Sequence, residues 1–411
     1  MRIAIAHDSF TQMGGAERVV DALHELFPEA PVFTLVFDPK FKEKYKGWDI
    51  RTSALQSLYL ALGKLQYLLP LIPWGVDNLN FEGFDVVLSS SSGFIKNIRV
   101  PKNCVHINYC HTPTRFLWQD EGYLRQEVPK YLLPLARIIL ARMKKWDYKS
   151  AQRVAYFIAN SQEVQKRIKD YYKRDSQVIY PFVDIEFWKS SLGVIPEDLS
   201  ASERLSGIQP SDSGSQSSAD AFGRDDTHKY FLLAGRLQAH KKNDLIIKIF
   251  NDLNIPLYVV GTGRQENYLK SIAKPNIKFL GRVSDERLRN EYSGARALLF
   301  PQVEDFGLMP LEAAACGTPT LAYAKGGALE TVVSGITGEF FGPSVVAPFM
   351  EPHEPGESGN YTLKEEIKKI ILNWDAKKYQ PEDLRRQAEK FSKEKFKTEI
   401  LNFIKQHARP L

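Results

Sequence analysis

Short apolar runs alternate with helical patterns along most of this chain, and the scheme is run through twice. In the first half Ile3–Ala6, Val32–Val36, Val86–Ser89, Val105–Tyr109 and Val154–Ala159 read as strands, with Ala16–Leu26 as a helix and a long helical stretch before Val154. In the second half Tyr230–Ala234, Leu257–Val260, Ile277–Leu280, Ala297–Phe300 and Thr320–Tyr323 are the strands, again with helices between them. Strand–helix alternation demands a parallel sheet whose crossover helices cover both faces. The expected class is α/β, with two Rossmann-like doubly wound domains. The length of 411 residues is too great for one ordinary core and suits two. The first domain is expected over 1–180 and the second over 181–382, with a hinge at Pro181–Phe187. A helical tail over 383–411 is expected to pack back on the first domain. The stretch 190–228 is rich in Ser, Gly and Asp, cannot bury enough surface to order itself, and reads as a flexible insert.

Three cysteines, Cys104, Cys110 and Cys316, lack metal-ligand spacing and are odd in number. That points away from a disulfide scaffold and toward a reducing, cytoplasmic setting. The opening MRIAIAHDSF enters a strand pattern at once and does not read as a signal peptide. No window holds the roughly 18 apolar residues of a membrane span. A formal charge of +6 is modest, and no aromatic-plus-basic groove motif suggests nucleic acid.

Four places carry candidate chemistry. Gly14 and Gly15 lie between the first strand and first helix, where backbone amides can approach an anion. A plain tight turn is the alternative, and the loop lacks the spacing of a dinucleotide site. The later Gly261-Thr-Gly263 reads as a strand-ending turn. Next, Gly235-Arg236 ends the first strand of the second half, with Lys241 and Lys242 shortly after. Ligands of open α/β sheets sit beyond the carboxyl ends of strands, and Arg with Lys suits a diphosphate without a metal. The alternative is a solvated charge run. Third, in Glu304-Asp-Phe-Gly-Leu-Met-Pro-Leu-Glu312, Gly307 opens a turn, Pro310 fits a first helical turn and Gly317 a C-cap. The amides of Phe306, Gly307 and Leu308 suit anionic or hydroxyl oxygens, and Glu312 suits two vicinal ribose hydroxyls. The fourth is Gly281-Arg-Val-Ser-Asp285, a loop leading into a helix for which Ser284 or Asp285 would be the N-cap.

The spacing Glu304-x7-Glu312 resembles the signature of the retaining family 4 glycosyltransferases, whose fold is called GT-B. HDSFTQMGGAERV, YCHTPTRFLW, FIANSQEVQKRI, AGRLQAHKKNDLII, VVGTGRQENYL and FLGRVSDERL are similar to that family too, so the resemblance spans nearly the whole chain. Bacterial GDP-mannose-dependent mannosyltransferases of polysaccharide or glycolipid assembly are the nearest in character. The resemblance implies two domains facing each other across a cleft, no metal or other cofactor, and a nucleotide-sugar donor. It places Gly14 and Gly15 near the donor diphosphate, Arg236 and Lys241 on that diphosphate (Lys242 being the alternative to Lys241), and Glu304 on the transferred sugar. It further places Glu312 on the ribose and His111 facing the sugar, with a core histidine as the alternative for His111. The Gly326-Gly327 loop is expected at the same site. Val283 and Asp285 would frame the base, where a carboxylate takes guanine N1 and N2 and so favours GDP over UDP. The family's usual account is front-side attack with retention, the leaving phosphate helping to deprotonate a saccharide or lipid-linked acceptor. A UDP-sugar enzyme, a sugar phosphorylase of the same fold and a non-catalytic nucleotide-sugar binder are the rival readings.

The segment Glu127–Arg153 holds seven Lys/Arg against two acidic residues. Leu132, Ala136, Ile139, Met143 and Trp146 share one helical face, as expected of a helix lying on an anionic membrane. A core-packed helix with a solvated basic face is the alternative, and apolar Leu55–Leu71 poses the same choice.

Overall fold

The computed structural model describes residues 1–118, 133–189, 230–342 and 357–408. The insert read at 190–228 and Leu132 lie outside the described residues. The chain divides into two compact units, Met1–Phe182 with Phe391–Leu411, and Val183–Lys390.

The first unit is built on a seven-stranded sheet of order β3-β2-β1-β4-β5-β6-β7, parallel throughout. Its strands are β1 Ile3–His7, β2 Val32–Thr34, β3 Ile50–Thr52, β4 Val86–Ser91, β5 Val105–Cys110, β6 Tyr156–Ala159 and β7 Ser176–Val178. β4 is buried at every position, as a central parallel strand covered on both faces must be. Alternate residues of β1 feed opposite cores. Ile5 joins Val19, Leu23 and Leu88 on one face, whereas Ala4 and Ala6 join Phe33 and Val87 on the other.

The helix Lys393–His407 places Phe396, Ile400, Phe403 and Ile404 in the core that holds Val19 and Leu23. That spacing is one helical face. Lys393 and Lys397 both pair with Glu25 on the helix Gly15–Leu26. The helix Pro381–Glu389, which the sequence reading divided at 383 between the second domain and the tail, falls in the second unit and packs against the helix Leu308–Ala315.

One polar knot stands out in the first unit. Asp147 is fully buried and accepts hydrogen bonds from Lys96 Nζ at 2.7 Å, Asn97 Nδ2 at 3.0 Å, Trp118 Nε1 at 2.8 Å and the Tyr172 hydroxyl at 2.8 Å. Lys96 is buried as completely.

The second unit has a six-stranded parallel sheet of order β10-β9-β8-β11-β12-β13. The strands are β8 Tyr230–Ala234, β9 Leu257–Val260, β10 Ile277–Gly281, β11 Ala295–Phe300, β12 Thr320–Tyr323 and β13 Gly338–Phe341. In each sheet the chain order reverses once, between β1 and β4 in the first and between β8 and β11 in the second. Open α/β sheets form ligand crevices at the carboxyl ends of such neighbours. Among the described residues, no helix is long and apolar enough to cross a membrane.

Candidate active site

The switch point of the second sheet gathers most of the residues singled out from the sequence. β8 ends at Ala234, and Gly235 turns the chain at φ 121° so that Arg236 emerges exposed. The turn after β9 lies directly against it. A Cβ on Gly261 would sit 1.9 Å from the Gly235 carbonyl oxygen, and one on Gly263 would sit 2.3 Å from that of Leu237. Only glycine permits such backbone approach. The Gly261-Thr-Gly263 turn thus supports the loop that carries Arg236.

Lys241 closes the short helix Ala239–Lys241, and its ammonium pairs with the Glu304 carboxylate. Both side chains are largely shielded, at 13% and 24% exposure. Lys242 takes another course. It sits at φ 53°, and its Nζ lies 4.5 Å from the centre of the Tyr323 ring. Burial, and then the neighbouring Lys325, hold its ammonium below the ordinary lysine range. Of the two lysines left open by the sequence, Lys241 is the one that meets Glu304.

Glu304 lies on the loop between β11 and the helix Leu308–Ala315. Its carbonyl oxygen accepts from the Gly327 amide at 2.9 Å. Gly326 and Gly327 press onto this loop, since a Cβ on either would fall 2.6 Å from the Glu304 carbonyl oxygen or 2.2 Å from Phe306 Cα. Gly307 opens the helix at φ 89°, Pro310 lies in its first turn, and Gly317 follows its end at φ 84°. Phe306 is buried. Glu312 is buried too, at 6% exposure, with its Oε2 3.5 Å from the Tyr292 hydroxyl. Tyr292 was not picked out by sequence, where it is one tyrosine among eighteen on an amphipathic helix. On the neighbouring loop Val283 is half-buried and Asp285 exposed. The N-cap there is Ser284, whose side chain accepts from the Arg287 amide at 3.2 Å, so Asp285 is the first helical residue rather than the cap.

At the switch point of the first sheet, Gly14 is the N-cap of the helix Gly15–Leu26, and both glycines are exposed. His111 follows β5, is half-buried, and its Nε2 lies 2.8 Å from Ser90 Oγ. Two buried ionisable residues stand just behind, His7 at the end of β1 and Glu17 in the first turn of the helix. In the sequence they look ordinary, because a glutamate near a helix N-terminus is expected from the macrodipole alone.

The basic segment requires a correction. On the helix Leu133–Ala151, Ile139, Met143 and Trp146 pack into a core of the first unit, with Met143 buried. The face expected to meet a membrane is therefore turned inward to the protein's own core. Large apolar side chains are instead exposed at Leu58, Leu60, Leu62, Tyr67, Leu71 and Trp74, and at Leu135 and Ile138. Among the described residues, no three or more His, Cys, Asp or Glu side chains gather as a metal-ligand set.

Two family models match the chain: Glycosyltransferase Family 4 over residues 13–187, and Glycosyl transferases group 1 over residues 215–349. The GDP-mannose-dependent monoacylated alpha-(1-6)-phosphatidylinositol monomannoside mannosyltransferase of Corynebacterium glutamicum is 34% identical over 126 residues, which are 27% of this chain and 33% of that protein. The chain thus spans about a third of the length of that relative. The alpha-1,3/1,6-mannosyltransferase alg2 of Schizosaccharomyces pombe is 26% identical over 82% of this chain and 70% of that protein. Among solved structures, Anabaena Alr3699/HepE in complex with UDP superposes with a TM-score of 0.63 at 18% identity, covering 99% of this chain and 100% of the other. That likeness shows the fold, two parallel-sheet Rossmann-like domains of GT-B type.

Proposed function

We propose that this chain, which belongs to the family 4 glycosyltransferases, moves a hexosyl group from a nucleoside diphosphate sugar to a saccharide or lipid-linked acceptor, with mannose from GDP-mannose as the donor. The observation that carries the reading is the Lys241–Glu304 pair, which joins the loops at the carboxyl ends of β8 and β11, the first of which also carries Arg236. Transfer breaks the bond between the anomeric carbon and the diphosphate, and negative charge grows on the leaving phosphate. Arg236 and Lys241 are the cations that stabilise that charge. Glu304 keeps the Lys241 ammonium at the end of the sheet and takes hydroxyls of the transferred sugar. The amides of Phe306, Gly307 and Leu308 serve the donor's oxygens, and Glu312 its ribose. His111, Gly14 and Gly15 are assigned to donor binding as well. With Ser284 supplying the cap, Asp285 is assigned to the base edge, together with Val283. The mannosyl assignment draws support from the two mannosyltransferase relatives.

A thermal-shift titration with GDP, UDP and ADP, each with chelator and no metal, is expected to stabilise the protein with GDP alone, followed by turnover of GDP-mannose at full rate in chelator. Preference for UDP would overturn the mannosyl donor while keeping the transferase. Binding of no nucleotide would favour a phosphorylase.

The place of action is proposed as the cytoplasmic face of a membrane. The support is the exposed apolar set at 58–74, a stretch whose charged residues after Gln56 are limited to Lys64, with Trp74 and Tyr67 of the kind that seat at a lipid–water boundary. Flotation with vesicles of anionic lipid is expected to carry the protein upward, and Leu60→Glu with Trp74→Glu is expected to leave it at the bottom. Equal flotation of both proteins would remove this surface from the proposal.

A further inference from the structure

His7 and Glu17 have no part in the reading above, yet they are buried ionisable residues at the switch point of the first sheet. His7 is 2% exposed and Glu17 4%. His7 Nδ1 lies 3.2 Å from the Ser90 carbonyl oxygen, and Nε2 lies 3.6 Å from Glu17 Oε1 with no closer polar partner. A carbonyl oxygen only accepts, so Nδ1 carries a proton. The other nitrogen faces a carboxylate, which when ionised also only accepts. With Glu17 ionised, a ring set between these two acceptors is an imidazolium. Burial opposes charge on both residues, but each overcomes it in the other. His7 is held above the ordinary imidazole value by Glu17, with help from Asp8, and Glu17 is held below the ordinary carboxyl value by His7, with help from His111.

Isolating such a pair from water is costly, and an apolar pair of similar volume would serve the core as well. What distinguishes this pair is what it touches. Ser90, gripped at its carbonyl by His7, shares a hydrogen bond of 2.8 Å between its hydroxyl and His111 Nε2. On the other side, Glu17 Oε2 lies 3.2 Å from where a Cβ on Gly14 would stand. Asp8, next to His7, takes the amides of Ser92, Gly93 and Ile95 at 2.6, 2.7 and 2.8 Å and holds the loop that follows β4.

We infer that His7 and Glu17 are positioning residues, a buried imidazolium–carboxylate pair that fixes Ser90, and through it the His111 ring. This rests on the reading in which His111 meets the donor. Nitrogen-15 spectra of the imidazoles in the full chain, taken just above the ordinary value of about 6.5, are expected to show both His7 nitrogens still protonated. A neutral His7 there would overturn the pair. In kinetics, Glu17→Gln and His7→Gln are each expected to lower kcat on the order of 10²-fold, as a slightly misplaced reacting group does, with nucleotide affinity unchanged. The double variant His7→Gln/Glu17→Gln, in which an amide pair replaces the ion pair, is expected to turn over faster than either single variant. Ser90→Ala, which removes only a hydroxyl, is expected to show the same loss in kcat and serves if a charge variant fails to fold. Wild-type kcat in Ser90→Ala would overturn the positioning role. A wild-type protein that consumes no nucleotide sugar would instead end the transferase reading, while the imidazole spectrum would still decide the pair.

Discussion

Alanine at Arg236 or at Lys241 is expected to lower kcat by about 10²–10³-fold while the protein stays folded. The effect is set by where the charge is needed. In the ground state the donor diphosphate is already anionic, and any cation nearby aids binding. In the transition state one further charge develops on the leaving phosphate, and only preorganised donors reduce the barrier. Lys241 is held in place by Glu304, so it needs no reorganisation when the bond breaks. Arg236 is exposed on a turn that two glycine-dependent backbone approaches support, so the loss of its side chain leaves the fold untouched. Lys242→Ala is expected to cost far less, because its side chain lies over Tyr323 rather than on Glu304. Steady-state rates with GDP-mannose, beside circular dichroism of each variant, decide the matter. Near-normal turnover in both Arg236→Ala and Lys241→Ala would sink the assignment.

Asp147→Ala is expected to destabilise the protein by about 3–5 kcal/mol, the usual cost of breaking a buried ion pair. The carboxylate is the single acceptor shared by Lys96, Asn97, Trp118 and Tyr172. Its removal leaves the ammonium of Lys96 buried beside only the Gly93 carbonyl and the Thr114 hydroxyl, and strands three neutral donors. For a unit of this size the loss corresponds to a fall in Tm of roughly 6–20 °C. Asp147→Asn, which keeps one acceptor oxygen, is expected to lose less. Denaturant titration of the two variants checks this, and a cost for Asp147→Ala below about 1 kcal/mol would falsify the view that the knot ties the helix Leu133–Ala151 to the turn after β4 and to the helix Gln162–Tyr172.

The central strands were legible because each is a short apolar run between helical patterns, and β8, β9 and β12 have the bounds that their sequence suggests. β3, β7 and β13 were not, because IRT, SQV and GEFF are short and lie at sheet edges, where burial on one side only dilutes the apolar signal. The candidate site was legible where backbone chemistry requires a residue type, as at Gly307 and Pro310. It was illegible where residues act through space. Periodicity showed that the helix Leu133–Ala151 has an apolar face, but not whether that face meets lipid or its own core. Only the packing of Met143 and Trp146 decided it.

By itself, the sequence determined the α/β class, the doubling of the parallel sheet and the motif loops at strand ends, because hydrophobic period and turn chemistry are local properties. Tertiary structure alone decided which of Lys241 and Lys242 meets Glu304, that Ser284 and not Asp285 caps its helix, and that His7 and Glu17 face each other. The first depends on β8 and β11, which are neighbours in the sheet but distant in the chain, and no local pattern records that distance. The other two are contacts between residues close in the chain, where residue type allows more than one partner and the backbone path decides between them.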